Sequence, residues 1–173
     1  AQAGATYAGA ALLGGIALDA ESRAAVRTMV ADRERSEFLP ADPLAWIDEQ
    51  LAALAESDAD IRAGVNVRAT GVRAIGEAAA VCTDHGALLE VNAHCRQAEL
   101  CAAGCGETLL ADTDRLAEYV AAAAGAGADV SVKVRADVDG VDLADTARAV
   151  AAVGADAIHV DAMDSEEIVG SVK

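Results

Sequence analysis

The feature that most constrains this chain is an alternation: five short apolar segments, interleaved with longer stretches whose apolar residues recur at helical spacing. The apolar segments are 8–16 (AGAALLGGI), 61–69 (IRAGVNVRA), 87–92, 130–136 (VSVKVRA) and 156–161. Helices are predicted at 19–31, 43–56, 70–83, 113–126 and 141–152. The second shows the signals best. Asp42 can cap its free N–H groups, Pro43 sits where a missing N–H costs nothing, and Leu44, Ile47, Leu51 and Leu54 share one face. Asp19 and Gly154 are the matching start and stop signals for 19–31 and 141–152. Residues 32–42 read as a charged loop with a short edge piece at 37–39, and a last helix is expected at 164–172. Short connections and strands that read as apolar rather than alternating argue for an α/β protein, a parallel sheet covered on both faces. A doubly wound sheet can use five strands and stop, whereas a (β/α)8 barrel needs eight and about 250 residues.

Length bounds the answer to a single domain, 1–173, large enough to bury a core. Ala supplies 45 residues and aromatics only 2% of the chain, so that core must be Ala, Val, Leu and Ile with closely packed helices. No apolar run reaches membrane-span length and no signal peptide is visible, so a cytoplasmic protein without a membrane partner is expected. The formal charge is −16, and only Lys133 and Lys173 of the 13 basic residues are lysines. Such a balance suits a salt-loaded cytoplasm, where the Debye length shrinks to about 3 Å and acidic self-repulsion is tolerable. It also argues against broad electrostatic binding to nucleic acid. Cys82, Cys95, Cys101 and Cys105 are expected to be reduced, and the spacing C-x5-C-x3-C is not that of a zinc site.

Residues 87–110, ALLEVNAHCRQAELCAAGCGETLL, concentrate the chemistry. A buried strand ending in Asn92, His94 and Cys95 places hydrogen-bonding and nucleophilic groups at its carboxyl end, the edge where parallel α/β folds bind ligands. Lys133 lies inside an apolar strand, where an ammonium needs a partner, such as Glu90, or a ligand. Asn66 and Asn92 are amides within strands, disfavoured there unless their hydrogen bonds are used. No phosphate-binding Gly-rich loop follows any strand.

This stretch resembles the flavin-dependent tRNA-dihydrouridine synthases, whose strand reads roughly Leu-Asn-x-Gly-Cys-Pro before a Gly-rich loop and a Leu-Leu or Leu-Met step. Here Asn92–Arg96 stands at the motif, Gly104 and Gly106 in the loop, and Leu109–Leu110 at the step. Residues 130–136 and 154–163 match that family's next two strands, and the form Asn-Ala-His-Cys-Arg-Gln is similar to a divergent archaeal, halophilic branch. Laid against the family, the five strands match its strands two to six, which implies a partial chain of a TIM (β/α)8 barrel.

The resemblance further implies FMN as cofactor, NAD(P)H as electron donor, and reduction of a uracil C5–C6 double bond in tRNA. Cys95 matches the general acid that protonates C5, and Lys133 the contact to the flavin N1–C2=O edge. Asn66 falls where the family has a flavin-binding glutamine, and Asn92 matches an asparagine facing substrate or flavin. The family's flavin-contacting histidine aligns with Asp161, with His159 two residues earlier. His94 and Arg96 replace a glycine and a proline beside the acid; His94 is a second candidate proton donor, and Arg96 a substrate contact. These departures leave room for a free pyrimidine, as in dihydroorotate or dihydropyrimidine dehydrogenases, or for a barrel that has lost flavin. A homo-oligomer is compatible with the sequence.

Overall fold

The computed structural model describes residues 8–31, 39–57 and 60–162. The elements run β1 (Ala10–Ala17), α1 (Ala20–Ala31), α2 (Pro43–Ala55), β2 (Arg62–Arg68), α3 (Val72–Asp84), β3 (Leu88–Ala93), α4 (Ala98–Ala102), α5 (Thr108–Ala111), α6 (Thr113–Gly125), β4 (Asp129–Arg135), α7 (Leu143–Ala152) and β5 (Ala157–Asp161). The predicted strands and longer helices are all present, with ends displaced by one or two residues. Asp42 accepts from Leu44 N and Ala45 N, as a helix cap should. The expected edge piece at 37–39 falls mainly, and the helix at 164–172 wholly, outside the described residues.

All five strands are parallel and hydrogen-bonded in sequence order, β1-β2-β3-β4-β5. A right-handed crossover repeated in one direction carries the longer helices that follow, α2, α3, α6 and α7, to the same face. Accordingly α2 packs on α3, α3 on α6, and α6 on α7, in one continuous layer. Helices over both faces, as the apolar strands suggested, are therefore not found among the described elements.

The reason lies in an alternation within the strands. Val65, Val67, Leu89, Val91, Val130 and Val132 form the buried core with Ile75, Ala78, Leu116, Val120 and Ala123 of the helices. Their neighbours Asn66, Arg68, Glu90, Asn92, Ser131, Lys133 and His159 point to the opposite face, as side chains of period two must. Each fully buried Val or Leu on the helix side contributes about 1.5–3 kcal/mol, and alanine on α3 and α6 lets the helices approach closely.

A second, smaller apolar cluster sits near the carboxyl ends of the strands. Ala17, Val26, Met29, Cys95, Leu100 and Cys105 bring α1 and α4 together over the loop that follows β3. That loop contains two short helices, α4 and α5, where sequence had suggested only a polar Gly-containing connection. Gly106 turns it with φ +66, and a Cβ there would lie 2.3 Å from the Cys95 carbonyl oxygen, so the close pass beneath Cys95 requires glycine. Among the described residues no helix is long and apolar enough to cross a membrane.

Candidate functional site

A cavity of about 510 Å³ opens on the polar face of the sheet, toward the carboxyl ends of the strands. Gly14 and Gly15 of β1, Asn66 and Arg68 of β2, Glu90 and Asn92 of β3, Lys133 of β4 and His159 of β5 line it, with His94, Cys95 and Gln97 from the loop after β3. Strand register explains the gathering. Asn66 pairs with Glu90, Asn92 with Lys133, and Lys133 with His159, so residues distant in sequence fall in adjacent rows of one face.

The buried floor is a chain of hydrogen bonds. The Cys95 backbone N–H donates to Asn92 Oδ1 (3.3 Å), Asn92 Nδ2 to Asn66 Oδ1 (2.8 Å), and Asn66 Nδ2 to Glu90 Oε1 (2.7 Å). The other carboxylate oxygen, Oε2, accepts from Ser131 Oγ at 3.3 Å and lies 2.9 Å from His159 Nδ1. Glu90 is 1% exposed and Asn92 2%, so the strand amides are indeed used. Glu90 takes its partners from β2, β4 and β5, and Lys133 is not one of them. Among the described residues Lys133 has no hydrogen-bond or ion-pair partner, although it is only partly exposed within a buried strand. Of the two outcomes open to Lys133, a pair with Glu90 or a ligand contact, the pair is not formed, and Lys133 lines the cavity.

Cys95 is buried at 3% exposure, touching the apolar cluster on one side and the cavity on the other. Its Sγ accepts from Arg68 Nη2 at 3.4 Å and lies 3.8 Å from His94 Nε2. Arg68 also donates to the Gly15 carbonyl at 3.2 Å; a Cβ on Gly15 would lie 2.6 Å from the guanidinium carbon, so glycine gives this arginine its room. His94 is not a surface loop residue: its side chain is 20% exposed, and its Nδ1 lies 3.1 Å from Asp161 Oδ2. Burial, reinforced by the positive charges of Lys133, Arg135 and Arg68 against the opposing pull of Asp161, lowers its pKa to about 4. Burial alone pushes the Cys82 thiol up to about 12, and it leads the causes that push Cys105 to about 12, which marks both as structural rather than reactive.

The structure therefore brings Cys95, His94, Lys133, Asn66, Asn92 and His159 to one cavity. Asp161 stands behind His94, within 3.9 Å of Arg135, rather than among the lining residues. Arg96 is directed elsewhere: it pairs with Glu107 at 2.8 Å and donates to the Asp137 carbonyl, in a separate depression shared with Val138 and Asp139. These bonds anchor the loop and place Arg96 outside the cavity that Cys95 and Lys133 line. Arg68, Gln97 and the Gly14–Gly15 pair are site residues that sequence reading passed over. For Arg68 the signal was present, a charge directly after the apolar Val65 and Val67 positions at the carboxyl end of β2.

Among the described residues no group of His, Cys, Asp or Glu is arranged to hold a metal ion. No family model and no curated protein matches the chain.

Proposed function

We propose that this chain is a flavin-dependent oxidoreductase that reduces the C5–C6 double bond of a uracil-type ring, built on part of a TIM-type barrel. One observation carries the reading: the Cys95 thiol, from the loop after β3, and the Lys133 ammonium, from β4, open onto the same cavity. Support for the barrel comes from the sequential strand order, which leaves the polar face without a helix layer of its own among the described elements.

The residues fit FMN through its ring. The volume of about 510 Å³ lies within the roughly 300–1,000 Å³ usual for ligand sites. Lys133, without a protein counter-charge among the described residues, suits the N1–C2=O edge, where negative charge collects on reduction. Asn66 and Asn92 each retain one amide N–H beyond those used in the buried chain, available to ring oxygens. When bound, FMN would supply the hydride that reaches C6.

The protein's part is to deliver the proton. Cys95 gives its S–H proton to C5 as the new C6–H bond forms, leaving a thiolate that the Arg68 guanidinium faces. His94 Nε2, neutral and 3.8 Å from the sulfur, stands on the path by which solvent returns a proton to it. The Asn92 side chain, accepting from the Cys95 N–H, fixes the backbone that aims the thiol.

The substrate is either uridine in tRNA or a free pyrimidine; the formal charge of −16 favours the free base, because phosphate backbones would be repelled. An absorbance spectrum of the protein in molar KCl, followed by FMN titration, tests the reading. Bands of oxidised flavin are expected in the wild type, and at least a tenfold weaker complex in Lys133→Ala. Cys95→Ala should keep the colour and lose turnover. Dihydrouridine in tRNA from a deletion strain, compared with reduction of uracil and orotate, separates the substrates. No spectral change with FMN at any salt concentration would leave a barrel without flavin chemistry.

A further inference from the structure

Glu90 is the most buried carboxylate at the site, and no step above uses it. Three groups converge on its two oxygens: the Asn66 amide on Oε1, and the Ser131 hydroxyl and His159 Nδ1 on Oε2. A carboxylate only accepts, so each neighbour must present a donor. The far end of the chain is fixed too, because the Cys95 backbone N–H can only donate. With a donor at one end and an acceptor at the other, the two amides between them fit in a single orientation. The neutral His159 ring is left with one tautomer: its Nδ1 carries the proton toward Glu90, and Nε2, the opposite end of a half-exposed ring that lines the cavity, carries a lone pair. Lys133 is its register partner on the neighbouring strand, and adjacent strands lie about 4.8 Å apart.

We propose that Glu90 is a positioning residue that holds His159 as the Nδ1–H tautomer, and that His159 Nε2 and the Lys133 ammonium together take the cis-lactam edge of a ring ligand. The ammonium donates to the carbonyl oxygen, and Nε2 accepts from the adjacent ring N–H. A uracil-type ring and an isoalloxazine both carry this O=C–N–H edge. The lactam assignment rests on the flavin–pyrimidine reading above, whereas the tautomer follows from the hydrogen-bond geometry alone.

Nitrogen-15 NMR of the imidazoles tests the tautomer without any ligand. In the wild type the neutral His159 ring should carry its proton on Nδ1. In Glu90→Gln the amide can still accept from Asn66 through its oxygen, which turns its N–H toward His159, so the proton should move to Nε2. A wild-type Nε2–H tautomer, or no change in Glu90→Gln, overturns the positioning role. Binding then tests the edge with two matched pairs: FMN against N3-methyl-FMN, and uracil against 3-methyluracil. Loss of one hydrogen bond should weaken one N-methylated member about tenfold in the wild type, and Glu90→Gln should abolish that preference. Should Glu90→Gln fail to fold, His159→Phe, altered at a half-exposed position, must lose the same preference. Discrimination within the FMN pair assigns the edge to the cofactor, and within the uracil pair to the substrate. Equal binding in both pairs overturns the lactam assignment even if a yellow complex forms. Failure of FMN to bind, with discrimination retained for uracil, rejects the flavin reading and leaves this one standing.

Discussion

His94 sits between one carboxylate and three cations, and its burial decides the outcome. With a pKa near 4 it is neutral in the native state across the range where an exposed imidazole titrates. The unfolded chain takes up this proton near pH 6.5, the native protein only near pH 4. Between these values the unfolded state binds more protons, so stability falls as pH is lowered through the window, by about 3 kcal/mol in all. Urea midpoints measured from pH 7 to 4 should show this decline, and His94→Gln should flatten it. At this scale the sequence was partly legible. Lys133 and the two asparagines announced themselves as polar groups in apolar strands, and Cys95 as a thiol just past a strand's carboxyl end. Glu90 was legible only as a counter-charge for Lys133, because its true partners come from three other strands and register decides them. Arg96 misled because a side chain's reach is set by the loop's fold, not by its adjacency to Cys95.

Between elements, one tie of four hydrogen bonds runs through Asp19. Its Oδ2 accepts from Thr70 N (2.7 Å), Thr70 Oγ1 (3.0 Å) and Gly71 N (3.0 Å), while Oδ1 caps α1 through Ser22 N (3.0 Å). One carboxylate thus joins the start of α1 to the β2–α3 turn, beside the strand ends that shape the cavity. Burial pushes its pKa up, but the bonds from Ser22, Thr70 and Gly71 outweigh that and hold it below the usual value of 3.8. This stabilisation is present above pH 3.8 and lost as pH falls through the lower native value, a window separate from that of His94. Asp19→Ala should cost about 2–4 kcal/mol in denaturant unfolding, and Asp19→Asn clearly less. Sequence showed Asp19 as a helix cap; its second role needs Thr70, 51 residues away, and no local pattern reports that. The short helices of the loop after β3 were illegible for a similar reason. Five and four residues are too few to establish a period, and Leu100, Leu109 and Leu110 hold them by burial.

Across the whole molecule, the five parallel strands were legible from the β-α alternation, whereas their sequential order was only what the barrel resemblance implied, and the one-sided helix layer was not read from the apolar strands. The pattern V-S-V-K-V-R in β4 contains the polar face, but the valines dominate its average and it reads as apolar throughout. Charge acts at this scale as well. A formal −16 over 173 residues favours expansion when unscreened, so the melting temperature should rise between dilute and molar KCl; an unchanged value would remove the halophilic interpretation. The recessed cations sharpen this. Lys133 and Arg68 line a cavity within a strongly acidic protein, so a phosphate-bearing ligand meets repulsion on approach before attraction on arrival. Added salt screens the long outer barrier more than the short inner contact. On the proposed flavin reading, stopped-flow capture of FMN should therefore speed up with KCl, the opposite of ordinary electrostatic steering, and salt would act as the gatekeeper of entry rather than merely the keeper of the fold.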